Sequence, residues 1–206
     1  MKPAKLVTLF SSVLLIISSA AHAQMNQQVM DQLDSMVSVD QQYRAVYEGG
    51  VYQNLDSVSR HQMDVALKAV DSLHYLKLQE WFETYGFLDY DLVGEEGSYQ
   101  FWLLVQHQDA YPDFQKAVLT QMKHAVDQGK ASSTCLAFLT DRVCVNDGKL
   151  QIYGTQFMIS SDSNLYVPRP VEDPQHLEAR RASASLPPMN VYLKLVNQRF
   201  APVAID

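Results

Sequence analysis

The chain has 206 residues with a formal charge of -7, 47% hydrophobic and 19% charged residues, and two cysteines. That length and composition exclude a collagen, a long disordered tail, a disulfide scaffold and a multi-spanning membrane protein, and leave enough chain for a real core. An acidic balance without blocks of Lys and Arg speaks against nucleic acid as a partner, because polyanions need clustered cations.

The chain opens with Lys2 and Lys5, then an apolar run from Leu6 to Ile17, and then Ala21-His22-Ala23 before Gln24. A basic tip, a short apolar run and an A-x-A site form the pattern of a cleaved secretory signal. The run is too short to span a bilayer, which takes about 20 residues. Cleavage after Ala23 would remove both lysines and take the charge to -9. Residues 1–23 are therefore expected to be a signal peptide, and residues 24–206 a soluble, periplasmic or secreted domain without a stable membrane anchor. No repeat, low-complexity tract or linker divides residues 24–206, so one domain is the simplest account.

From Val29 to Tyr47, apolar residues fall at helical spacing, and Gly49-Gly50 ends the pattern. A second helix begins near Ser57 and stops at Gly86, carrying Val58, Val65, Leu73 and Leu76. Gly97 to His107 differs in kind: Phe101-Trp102-Leu103-Leu104-Val105 is apolar on every side, which predicts a central buried helix. Pro112 suits the first turn of the next helix, which runs to Gly129, and Ser132 or Ser133 caps another. Leu150 to Ile159 and Leu165 to Val167 are rich in strand formers and read as a hairpin, with Pro168 and Pro170 ending its second strand. Asp173-Pro174 reads as a cap and first turn of a further helix, and a last helix follows Pro187-Pro188. The expected fold is mainly α (α+β), a helical domain with a small antiparallel β-hairpin near residues 150–168.

Cys135 and Cys144 lie nine residues apart in one predicted helix. That spacing puts them on opposite faces, about 13 Å apart along the axis. A disulfide needs Cα atoms within about 7 Å, so either the helix breaks between them or, the favoured reading, both are buried thiols.

From Leu92 to Leu193 the chain carries a series of phrases in a fixed order. They are Leu92-Val93-Gly94-Glu95-Glu96, Trp102-Leu103-Leu104-Val105-Gln106-His107 and Pro112-Asp113-Phe114-Gln115. Leu139-Thr140-Asp141-Arg142-Val143, Tyr153-Gly154-Thr155-Gln156-Phe157, Val167-Pro168-Arg169-Pro170-Val171-Glu172-Asp173 and Arg180-Arg181 follow. Together they resemble a bacterial family of unknown function, the one numbered 6624. Upstream, Asp71-x-x-His74 and Gly86-Phe87-Leu88 stand where that family tends to show Asp-x-x-Asn and Gly-Trp-Pro. The resemblance implies no activity, cofactor or partner.

His107 shares a helical stripe with Glu96, Gln100 and Leu103, so it can form an acid/base group with Glu96 or the adjacent Glu95, or simply cap its own helix. Asp141 and Arg142, neighbours on one helix, point about 100° apart and need separate partners. Arg142 turns inward, where a carboxylate such as Glu95 or Glu172, or a bound anion, must meet it. Gly154 and Gln156 share a strand face, and a glycine there marks close approach by a ligand or by another backbone. Arg169 sits between two prolines on stiff backbone, and Arg180 and Arg181 follow, either as an anion-recognising patch or as surface partners of Glu172, Asp173 and Glu178. No metal, nucleophile, nucleotide or dinucleotide motif is present, and no cofactor is expected.

The expected function is binding of a small polar or anionic ligand, or a protein partner, in a cleft between the central helix and the hairpin. Arg142, Gln156, Arg169, Arg180 and Arg181 are its candidate contacts. The alternative is an acid/base, hydrolase-like enzyme acting on a cell-envelope substrate, with His107, Glu95, Glu96 and Asp141 as candidates.

Overall fold

The computed structural model describes residues 27–47, 51–163 and 165–200. The predicted signal segment and the Gly49-Gly50 stop lie outside the described residues. In chain order the elements are α1 (27–47), α2 (Val51–Asn54), α3 (Ser57–Tyr85), α4 (Tyr90–Gln106), α5 (Pro112–Asp127) and α6 (Ser133–Asn146). Then come β1 (Phe157–Ile159), β2 (Tyr166–Pro168), a 3-10 turn (Pro174–His176), α7 (Leu177–Ser183) and α8 (Met189–Phe200). The fold is mainly α, with one two-stranded antiparallel sheet in which Met158 faces Val167.

The helix ends follow local chemistry. Asp56 caps α3 through the amides of Val58 and Ser59, and Gly86, at φ 75, closes it with its N–H on the Phe82 carbonyl. Pro112 opens α5, and Ser132 caps α6 through the amide of Cys135. Both cysteines are free thiols on that one helix, Cys135 buried and Cys144 half-buried.

Three elements differ from the sequence expectation. α4 starts at Tyr90 rather than Gly97, capped by Asp89, and Gly94 (φ 70, ψ 178) breaks it in passing. Two glycines three residues apart conceal that first half, because neither favours a helix. The strands cover only residues 157–159 and 166–168, since residues 151–156 are held as a loop, as described below. Asp173 lies in the left-handed region at φ 43 and makes no cap bond, so the helix begins at Leu177 after a 3-10 turn.

α4 is the centre of the core, as its all-round apolar stretch predicts. Phe101, Leu104 and Val105 are fully buried and meet Leu33 of α1, Leu78 and Trp81 of α3, Val118 and Met122 of α5 and Leu139 of α6. Burying each such side chain contributes about 1.5–3 kcal/mol, so this cluster is the main source of stability. Only one side of α3 is covered: Val58, Val65, Leu73 and Leu76, which mark the helix in the sequence, are exposed. A smaller cluster of Ala137, Ala184 and Leu186 lies beside Phe138 and Tyr153. Asn197 of α8 accepts from the Tyr166 amide and donates to its carbonyl, which satisfies the open edge of β2.

Candidate functional site

The loop 151–156 is clamped from two sides. Asp141 of α6 is fully buried and accepts four hydrogen bonds, from the amides of Ile152 (2.6 Å), Tyr153 (2.9 Å) and Thr155 (2.8 Å) and the Thr155 hydroxyl (2.9 Å). From the other side, arginines of α7 take the carbonyls. Arg180 Nε donates to Ile152 (2.8 Å), and Arg181 Nη1 donates to Tyr153 (2.6 Å). Gln151, also fully buried, donates to the Gln156 and Arg169 carbonyls and accepts from the Gln156 amide. A segment whose backbone groups are paired this way is held in one shape without a sheet. Gly154 (φ 71) fits because a Cβ there would meet Met189 Sδ at 3.3 Å. Its lack of a side chain lets α7 and α8 pack close, the second of the two roles the sequence allows.

This clamp sorts the candidate arginines. Arg181 is fully buried, with Nε on the Pro187 carbonyl and its guanidinium 5.0 Å from the Tyr192 ring. It is no surface partner of Glu178. Arg180 donates to the carbonyls of Ile152, Glu172 and Asp173. Arg142 pairs neither with Glu95 nor with Glu172: it reaches both carboxylate oxygens of Asp109, which also accepts from Asn146 and Gln115. Burial acts to raise the Asp109 pKa, but the bond and charge of Arg142 outweigh it and hold the carboxyl below its ordinary value. Arg169 is the exception. It is exposed, and its guanidinium has no hydrogen bond or ion pair among the described residues. Its backbone is fixed, the amide donating to the Gln156 carbonyl (3.0 Å) and the carbonyl accepting from Gln151 (2.7 Å). Gln156 and Arg169 are thereby brought together through backbone, while the Gln156 side chain turns to Thr155 Oγ1.

His107 is the C-cap residue of α4, and its Nδ1 lies 2.9 Å from Asp40 of α1. Arg44 donates to Asp40 (2.8 Å) and to Asp71 of α3 (2.6 Å), so the group braces α1 against α3 and α4. Glu95 and Glu96 lie about 16–18 Å back along α4 and do not meet His107. Glu96 instead accepts from Gln100, whose amide also donates to Asp34 (2.6 Å). None of His107, Arg142 and Gln156 lines either of the two cavities described below.

The brace predicts an acid response. Burial acts to raise the Asp40 pKa, but the His107 bond and charge and then Arg44 outweigh it, holding the carboxyl at about 2. Its stabilisation is complete above the ordinary carboxylate range and is lost as pH falls toward 2. His74, buried beside it with Nδ1 unpartnered, has its pKa lowered by burial. The unfolded chain takes up that proton near pH 6.5, the folded chain only lower, so stability falls on acidification below about 6.5. Asp71, raised by burial, works in the opposite sense. Urea midpoints at pH 7 and pH 5 are expected to fall further apart in the wild type than in His74→Leu; equal separations would exclude the His74 contribution.

Two cavities among the described residues bear on the candidate residues. One, of about 220 Å³, lies between the end of α6 and the hairpin and is lined by Val145, Gly148, Lys149, Leu150, Arg169 and Pro170. The other, of about 260 Å³, lies at the break in α4 and includes Glu95 and Glu96. No group of three or more His, Cys, Asp or Glu side chains among the described residues could hold a metal. No described helix is long and apolar enough to cross a membrane. Sequence reasoning missed Asp40, Arg44, Asp109 and Lys149. Asp40 and His107 are 67 residues apart and nothing local links them, whereas Asp109, two residues after His107, was within reach as a helix-end acid.

No curated protein and no solved structure matches the chain. A family model described as a family of unknown function, DUF6624, matches residues 26–202, a span that takes in α1 and α3 as well as the motifs after Leu92. The chain belongs to that family.

Proposed function

We propose that the protein is an extracytoplasmic binding protein for a small organic anion, held at Arg169 and Lys149 between the end of α6 and the hairpin. The observation that carries this reading is Arg169: an exposed guanidinium without a partner among the described residues, on backbone fixed by Gln151 and Gln156, facing a cavity. Pre-setting a cation in this way lowers the ordering cost of binding. Lys149 adds a second cation. It is 3.1 Å from Asp147, a carboxylate that Lys116 also contacts at 2.6 Å, so Lys149 shares its acid with another cation. Val145, Leu150 and Pro170 on the same wall suit an apolar body behind the anionic head. The pattern of the first residues supports the extracytoplasmic part.

Binding is favoured over catalysis because His107 belongs to a brace that lines neither cavity, and Asp141 has its oxygens occupied by the loop. A thermal-shift series with butyl phosphate and butyrate tests the reading, since a ligand that binds only the folded state raises the melting temperature. Stabilisation by either anion is expected, and its loss in Arg169→Ala. Equal stabilisation of that variant would sink the proposal.

A further inference from the structure

The cavity at the break of α4 has the opposite chemistry. Its charged residues are Glu95 and Glu96, and no Lys, Arg or His among the described residues lines it. Glu95 has no hydrogen bond or ion pair among the described residues, and Glu96 only a 3.4 Å contact from Gln100. Tyr90 and Tyr99 add two rings. Burial first, and then Glu95, push the Tyr90 hydroxyl up; burial first, and then Cys135 and Glu96, do the same to Tyr99.

An independent observation comes from Ser98, which lines the cavity and is 3% exposed. A serine inside a helix ordinarily bonds the carbonyl four residues back. For Ser98 that residue is Gly94, where the backbone leaves the helix (φ 70, ψ 178). The Ser98 hydroxyl is left with no hydrogen bond among the described residues, at the wall of a polar cavity. The residue is otherwise buried and its hydroxyl is not sealed from the outside, so the cavity is where water or a ligand can meet it.

We propose that this cavity is a second ligand site, which takes a small primary alkylammonium ion. Glu95 and Glu96 neutralise the charge, Ser98 Oγ accepts an ammonium N–H, and the faces of Tyr90 and Tyr99 attract the cation electrostatically. The wall also contains Met122 and Cys135, against which a short alkyl chain can pack. A metal ion is a poorer occupant, because the described residues offer it no cluster of three ligands.

Calorimetric titration of the full chain with n-butylamine hydrochloride tests this, with n-butanol, tetramethylammonium chloride and calcium chloride as comparisons at constant ionic strength. Saturable binding of butylammonium is expected, and none of butanol. Glu95→Gln is expected to weaken butylammonium binding about tenfold, the loss of one charge-assisted contact. Ser98→Ala is expected to weaken it several-fold while leaving tetramethylammonium, which has no N–H to donate, unchanged. Arg169→Ala should leave it untouched, which separates this site from the anion site. Absence of saturable butylammonium binding, equal binding of butanol, saturation by calcium alone, or wild-type affinity in both Glu95→Gln and Ser98→Ala would overturn the proposal. Glu95 is exposed, so its variant folds and the test stands whatever Ser98→Ala does to the core.

Discussion

Asp141→Ala is expected to destabilise the protein by about 3–5 kcal/mol, measured as the change in unfolding free energy from urea denaturation. Asp141 is fully buried, and its two oxygens accept from three amides and one hydroxyl. Alanine would leave all four donors facing a space with no acceptor, and each unsatisfied buried donor costs about 1–3 kcal/mol where water cannot enter. The side chain also fixes the shape of residues 152–155, so its loss releases the loop that backs Arg169. Asp141→Asn is expected to fall between, since its amide nitrogen would turn one acceptor into a donor aimed at other donors. Thr155→Val removes the hydroxyl's bond to Asp141 and the contact it accepts from Gln156, and is expected to cost about 1–2 kcal/mol. A loss below about 1 kcal/mol in Asp141→Ala would mean that the loop holds without the carboxylate.

The second large effect is expected at Arg181. This side chain is fully buried, donates to the carbonyls of Pro187 and Tyr153, and packs against Tyr192. Its charge meets no ion-pair partner among the described residues, Nη2 has no hydrogen bond, and burial lowers its pKa. Arg181→Ala is expected to cost about 4 kcal/mol, from lost packing together with the abandoned carbonyls of Pro187 and Tyr153 and the longer contact to Gly154. Arg181→Met keeps most of the volume and removes the unpaired charge, so a cost of about 2 kcal/mol or less is expected. Equal losses in the two variants would show that the hydrogen bonds dominate, and a larger loss in Met would contradict the packing account.

These two residues also show where the sequence could and could not be read. α5 and α6 were legible because Pro112 and Ser132 punctuate them and their apolar residues keep period. α4 was legible where five apolar residues run together, and hidden before Gly97 because glycine at positions 94 and 97 masks a helix that Asp89 starts. Residues 150–156 have strand composition, and the strand fails to extend through them because Asp141 and the α7 arginines take the backbone groups a sheet would use. Arg181 reads as a surface arginine beside Glu178. Only the folding of loop 151–156 and α8 over α7 buries it, a long-range event that helical periodicity does not encode. Arg169 was legible for the opposite reason: its two prolines set its backbone locally. The partner of His107 was illegible, since Asp40 reaches it across 67 residues.

The candidate arginines thus divide into Arg142, Arg180 and Arg181, spent inside the protein, and Arg169, held outward. Titration of butyl phosphate into wild type, Arg169→Ala and Arg142→Ala tests that division most directly. Arg142 serves as the control because its guanidinium already holds Asp109. Saturable binding is predicted in the wild type and in Arg142→Ala, with affinity at least about tenfold weaker in Arg169→Ala. Unchanged affinity in Arg169→Ala, or a loss confined to Arg142→Ala, would contradict it.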